Sequence, residues 1–173
     1  MTGALGAIRQ TAYVVADIEA EMRRWVEELG VGPWFYVERA AFRDYVHRGV
    51  RSDPHVSIAL ANSGPHQIEL IQQRCATPTM YAEFTEAGRS GLHHVAFWTA
   101  EFDARLAELV ALGYAVGHSG AGGADGRFAY LVHPARPDDI VELSETGGRK
   151  GRFFEHVAEA ARSWDGTDPI RRL

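Results

Sequence analysis

The chain has 173 residues, 46% hydrophobic, 24% charged and 10% aromatic, enough apolar material for a core in one compact domain or two small modules. Eighteen Lys and Arg against 23 Asp and Glu give a formal net charge of −5 with no like-charge run longer than a pair, so electrostatics give no support to a nucleic-acid partner. The lone Cys75 excludes an internal disulfide and a thiolate-rich zinc site, and no stretch approaches the roughly 18 apolar residues of a membrane span, so a cytoplasmic protein is expected.

Residues 8–15 alternate as a strand does. Ile18, Met22, Trp25, Val26 and Leu29 then mark one face of a helix, with Asp17 placed to cap its start and Gly30 its end. Four β-like stretches follow at 34–38, 42–48, 56–61 and 67–72, the first two readable as one bent strand. Cys75 reads as a small buried hydrophobe. Thr77 and Pro78 suit the cap and first position of a short helix carrying Met80 and Phe84 on one face, with Gly88 as its stop.

From Gly91 the pattern begins again. With Gln10 and His94 as equivalent origins, Asp17 and Glu101 fall at the same offset, and Ile18, Met22, Trp25 and Val26 match Phe102, Leu106, Leu109 and Val110. Strands recur at 114–118, 127–133 and 140–145, so each half reads as a βαβββ module. Within a single domain over 1–173, the modules span about 7–74 and 91–146, a linker helix lies at about 77–88, and a final helix and tail occupy 150–173. Residues 120–126 are glycine-rich but lack the dinucleotide-binding spacing, and are expected to form a mobile loop able to serve as a lid. Phe154, Val157, Ala158 and Ala161 line one face of the final helix, and 164–169 form a turn-rich tail.

Strand alternation places the candidate chemistry. Ile68 and Leu70 face the helix-covered side, which turns Glu69 the other way, and Val141 and Leu143 do the same for Glu142. Either glutamate alone would read as an exposed strand residue, and His94 alone as a core histidine, with its neighbour His93 on the opposite face. The repeat pairs Gln10 with Glu69 and His94 with Glu142. If the modules face one another, these four line one concave surface, and a donor set of oxygen and nitrogen without sulfur suits zinc, nickel, cobalt, manganese or magnesium. Trp34, Tyr36, Phe128 and Tyr130 are candidates for shaping a pocket, with plain core or dimer interface as the competing reading.

The doubled βαβββ pattern, the strand 91–97, the Gln67-Ile68-Glu69-Leu70 strand and the Val141-Glu142-Leu143 strand resemble the vicinal oxygen chelate superfamily, which includes glyoxalase I, methylmalonyl-CoA epimerase, extradiol dioxygenases and fosfomycin- and bleomycin-resistance proteins. The resemblance covers about residues 7–146. It implies an α+β fold in which two βαβββ modules form an open barrel-like sheet around a central site, helices outside, with one divalent metal ion held by Gln10, Glu69, His94 and Glu142, in a homodimer. The ligand set is similar to that of glyoxalase I and the strand around His94 to that of methylmalonyl-CoA epimerase. Val14 and Gln73 replace the arginine and asparagine that glyoxalase I carries for glutathione, while Glu38 and Asp53 are the nearby candidates for the epimerase's second catalytic glutamate. The implied activity is that of an isomerase, epimerase or lyase abstracting a proton next to a carbonyl of a small molecule or thioester, with Glu142 and Glu69 as catalytic carboxylates. Two other readings are a metal-free binding protein of the same fold and a ring-cleaving dioxygenase, against which Gln10 stands.

Overall fold

The computed structural model describes residues 5–123 and 125–173. In chain order the first half contains β1 (Ile8–Val14), α1 (Ile18–Leu29), β2 (Trp34–Val37), β3 (Phe42–His47), β4 (Val50–Arg51), β5 (Val56–Ser63) and β6 (His66–Gln73). After α2 (Met80–Glu86), the second half contains β7 (Gly91–Thr99), α3 (Phe102–Ala111), β8 (Ala115–Gly122), β9 (Arg127–His133) and β10 (Arg136–Glu145). The chain closes with α4 (Arg149–Arg162) and β11 (Ile170–Arg172). All strands join one mixed sheet, curled into a half-barrel, in the order β11-β2-β5-β6-β1-β7-β10-β9-β8-β3-β4.

The two modules share one register. In the first, β1 runs parallel to β6 with Gln10 opposite Gln67 and Ala12 opposite Glu69. In the second, β7 runs parallel to β10 with His94 opposite Ile140 and Ala96 opposite Glu142. Gln10 and His94 are therefore equivalent positions, as are Glu69 and Glu142. Antiparallel pairing of β1 with β7 joins the modules at the middle of the sheet.

Helices α1 and α3 cover the outer face. Asp17 accepts from the Glu19 and Ala20 amides, Gly30 ends α1 in the left-handed region, and Ile18 and Met22 bury against Ile68 and Leu70. Phe102 and Leu109 of α3 pack in the same way against Leu131 and Leu143. Glu101 makes no side-chain cap and instead pairs with Arg105. The two helices outside the repeat cover the inner face: Met80, Tyr81 and Phe84 of α2 pack with Ala12, Tyr130 and Ile140, while Phe154 and Val157 of α4 pack with Phe35 and Leu60.

Several local expectations change. Residues 34–37 and 42–47 are two strands with different partners: β2 pairs with β5 of its own module, whereas β3 crosses to the far edge of the second module and pairs with β8. The cap of α2 is Thr79, whose hydroxyl accepts from the Ala82 amide, so Pro78 precedes the helix. Cys75 is exposed, its sulfur accepting from the His55 amide, because the β6 pairing ends at Gln73 and leaves 75 in the connection to α2. The first three residues of the glycine-rich segment belong to β8, Gly123 and Asp125 form the turn, and Ala124 lies outside the described residues.

Three glycines let α4 approach the sheet. A Cβ on Gly126 would sit 2.6 Å from the Lys150 side chain, one on Gly148 would strike the Asp125 carboxylate, and one on Gly151 would overlap the Thr146 carbonyl oxygen. Asp125 in turn accepts from the Arg149 amide at 3.1 Å. Gly151→Ala is expected to lower stability by about 2 kcal/mol or more through backbone overlap. A chemical denaturation midpoint equal to that of the parent would show that the first turn of α4 shifts freely.

Candidate metal centre

Glu69 and Glu142 reach the inner face because their neighbours are held on the outer one: Ile68 and Leu70 pack against α1, and Leu143 packs against α3. Both glutamates are buried, at 8% and 5% exposure. His94 stands between them, its Nε2 3.0 Å from Glu142 Oε2 and 3.7 Å from Glu69 Oε2. One ligand atom from each of the three residues lies within 4.8 Å of the others, the only such group of three or more acidic, histidine or cysteine side chains among the described residues. Gln10 lines the same cavity, and its amide nitrogen donates to Gln67 Oε1 at 2.7 Å, so its carbonyl oxygen remains available to the site.

His93 is not on the opposite face. Leu92 pairs with Tyr13 and His94 with Ala12, so His93 is an extra residue in a β-bulge and its ring lies buried beside that of its neighbour. Its Nε2 is 3.4 Å from the Met80 carbonyl oxygen, which can only accept, and its Nδ1 is 2.9 Å from His94 Nδ1. A proton on His93 Nε2 leaves its Nδ1 as acceptor, so His94 donates from Nδ1 and turns the Nε2 lone pair toward the two glutamates. A lone pair and a carboxylate oxygen 3.0 Å apart need a cation between them, either a proton or a metal ion.

The carboxylates differ in charge preference. Burial, and then the charge of Glu142, push the Glu69 carboxyl up to about 8, with Lys150 pulling the other way. Burial also acts to raise Glu142, but its contact with His94 and the charge of Lys150 outweigh it and hold the group below its ordinary value. Glu69 Oε2 is buried without a hydrogen-bond partner. That orphaned acceptor beside two further donor atoms fits a divalent cation, which carboxylate and imidazole ligands together would hold.

The cluster forms the floor of a cavity of about 410 Å³. Its walls are apolar, with Ile58, Leu60, Phe128, Tyr130, Phe153 and Phe154 among them. Of the four aromatic candidates, Phe128 and Tyr130 line the cavity, while Trp34 and Tyr36 are buried on the outer side with α1. Glu38 and Asp53 are exposed and line no part of it. Tyr81, whose hydroxyl meets that of Tyr130 at 2.8 Å, and Lys150, 3.8 Å from Glu142 Oε1, line the cavity without having been visible in the repeat. Both come from helices that have no counterpart in the other module.

The imidazoles of His93 and His118 stay neutral in the fold. Burial first, then neighbouring charges, press His93 down to about 3 and His118 well below its ordinary 6.5. As pH falls below about 6.5, the unfolded chain therefore takes up two protons that the fold refuses. Glu69 opposes this with one proton, which the fold holds and the unfolded chain releases above about 4.5. The metal-free protein is expected to lose about 1.4 kcal/mol of stability per pH unit between about pH 6 and pH 5, measured by urea titration. A constant midpoint across that window would contradict the buried neutral histidines.

The family model described as the Glyoxalase/Bleomycin resistance protein/Dioxygenase superfamily matches residues 9–130, well over half of the chain. The chain belongs to this superfamily. The glyoxalase superfamily commonly binds divalent metals and includes enzymes such as methylmalonyl-CoA epimerase. Among solved structures, a hypothetical protein from Bacillus halodurans C-125 is similar over 83% of this chain and 96% of its own, with a TM-score of 0.61 and 19% identity. The methylmalonyl-CoA epimerase from Mycobacterium tuberculosis is similar over 88% of this chain and 95% of its own, with a TM-score of 0.62 and 18% identity. A variant of the Streptomyces coelicolor methylmalonyl-CoA epimerase, in complex with 2-nitronate-propionyl-CoA, is similar over 84% of this chain and all of its own, with a TM-score of 0.56 and 18% identity. At these identities the likeness establishes the glyoxalase fold. Comparison of the sequence with curated proteins gives no match. None of the helices described is long and apolar enough to cross a membrane.

Proposed function

We propose that this glyoxalase-superfamily protein is a divalent-metal-dependent enzyme that moves a proton on the carbon next to a carbonyl of a small molecule. The observation that carries the reading is the buried Glu69–His94–Glu142 group, with its orphaned Glu69 oxygen, at the floor of an apolar cavity. Gln10, Glu69, His94 and Glu142 would hold the ion, which when bound supplies Lewis acidity toward a substrate oxygen. Fold alone would not select this chemistry, since one fold carries many.

The chain's own groups divide the remaining work. Glu142, held toward its ionised form by the charge of Lys150, is the base that takes the proton. Glu69, the second carboxylate of the cluster, is placed to return a proton to that carbon. Two carboxylates flanking one imidazole suit deprotonation and reprotonation of the same carbon. The phenylalanine and leucine walls exclude water, which strengthens each electrostatic contact inside and shields the carbanion-like species from the solvent.

Titration of the metal-free protein with Zn²⁺, Ni²⁺, Co²⁺ and Mn²⁺ in a calorimeter tests the metal requirement. One site per chain is expected for at least one of these ions, and its affinity should fall in Glu69→Gln. Absence of binding for all four ions overturns the reading and favours a metal-free binding protein.

A further inference from the structure

Lys150 belongs to α4, beyond the segment that the family model matches, and it neither takes nor returns the proton in the proposed transfer. Its side chain is only 16% exposed, and its stem passes the position where Gly126 lacks a Cβ. The ammonium lies 5.7 Å from the ring centres of both Phe128 and Phe154. It is 3.8 Å from Glu142 Oε1, an ion pair longer than an ordinary hydrogen bond. The ammonium therefore faces a cavity whose side walls include the apolar Ile58, Leu60, Phe128, Phe153 and Phe154.

The charges do not balance without a further anion. Of the charged side chains that line the cavity, a divalent ion would cancel Glu69 and Glu142, and Arg149 and Asp125 carry opposite charges, leaving Lys150 as a surplus positive charge. A buried charge of this kind is costly unless paired. We propose that Lys150 is a specificity-determining residue that binds the carboxylate of the substrate, which is thus a compact organic anion carrying both an activated carbonyl and a carboxylate on an apolar body. The inference rests on the metal-dependent reading of the site. Cavity volume supports it: about 410 Å³ accommodates a small acid whose apolar part lies along Ile58, Leu60 and Phe153. The N-terminal turn of α4, docked through Gly148 and Gly151, fixes the lysine above the metal ligands rather than leaving it on the surface.

Two bidentate chelating probes separate the claims. Succinic monohydroxamate places a carboxylate two methylenes from its chelating group, and 4-methylpentanehydroxamate replaces that carboxylate with an isopropyl group of similar shape. Calorimetry on the Zn²⁺-loaded protein should show the carboxylate probe binding about ten- to a hundredfold more tightly, the range for a hydrogen bond to a charged group. In Lys150→Met that preference should disappear while the affinity of the neutral probe persists, which also shows the site intact. Lys150→Arg, which keeps the charge, should retain a preference for the carboxylate. Equal affinities in the parent protein, or a preference that survives Lys150→Met, overturn the assignment of Lys150 while leaving the metal reading standing. Failure of both probes to bind the Zn²⁺-treated parent overturns the metal reading and this inference with it.

Discussion

Glu142→Gln is expected to lower the rate of proton abstraction by roughly a thousandfold, within the 10²–10⁴ range that a positioned general base supplies. The substitution keeps the shape of the side chain and can still hydrogen-bond to His94, but the amide has no basic oxygen. It also removes a negative charge beside Lys150, leaving Glu69 as the nearest carboxylate of the cluster. Glu69→Gln gives a different pattern if the roles are as assigned. The substrate would still lose its proton to Glu142, so deuterium would still enter from D₂O, whereas transfer of a proton to the opposite face would fail. Nuclear magnetic resonance of a carbonyl substrate in D₂O reads both events. Full activity in Glu142→Gln would remove that residue from the role of base. Exchange abolished equally in both variants would mean that each glutamate acts through the metal alone.

The register of the site was visible in the sequence because the same signal occurs twice. An apolar stripe on α1 and on α3 starts at the same distance from Gln10 and from His94, and two strands place a glutamate between apolar neighbours. Those patterns report which face a side chain takes, and the face is what brings Glu69, His94 and Glu142 together. Three features were not legible, each for a physical reason. Residues 42–47 alternate like any strand, and alternation does not state the partner; only the curl of the sheet brings β8 within reach. Alternation puts His93 on the wrong face because a bulge adds one residue to one strand, and this is defined by the neighbouring strand rather than by local sequence. Lys150 follows two glycines at a helix start, where a lysine ordinarily lies in solvent, and only the close approach permitted by Gly126, Gly148 and Gly151 carries it inward. Residue type alone puts Cys75 in the core, and residue type does not anticipate where strand pairing stops.

His94→Ala is expected to cost more than a hundredfold in metal affinity, because it deletes a donor atom that lies within reach of both glutamates. The comparison that gives this number meaning is His93→Phe. That variant keeps all the proposed ligands and the aromatic surroundings of Tyr81, Phe84 and Tyr130, but removes the nitrogen that accepts from His94. Outer partners that orient a ligating histidine are worth roughly 10–100-fold in metal affinity. His93→Phe should fall within that range, with far-ultraviolet circular dichroism unchanged in both variants. If His93 only fills space, its replacement by phenylalanine leaves metal affinity as it was, and the tautomer of His94 is then set by something else. If His94→Ala binds metal as tightly as the parent, the buried Glu69–His94–Glu142 group is a structural ion-pair cluster. The apolar cavity above it would then be a binding pocket without chemistry of its own.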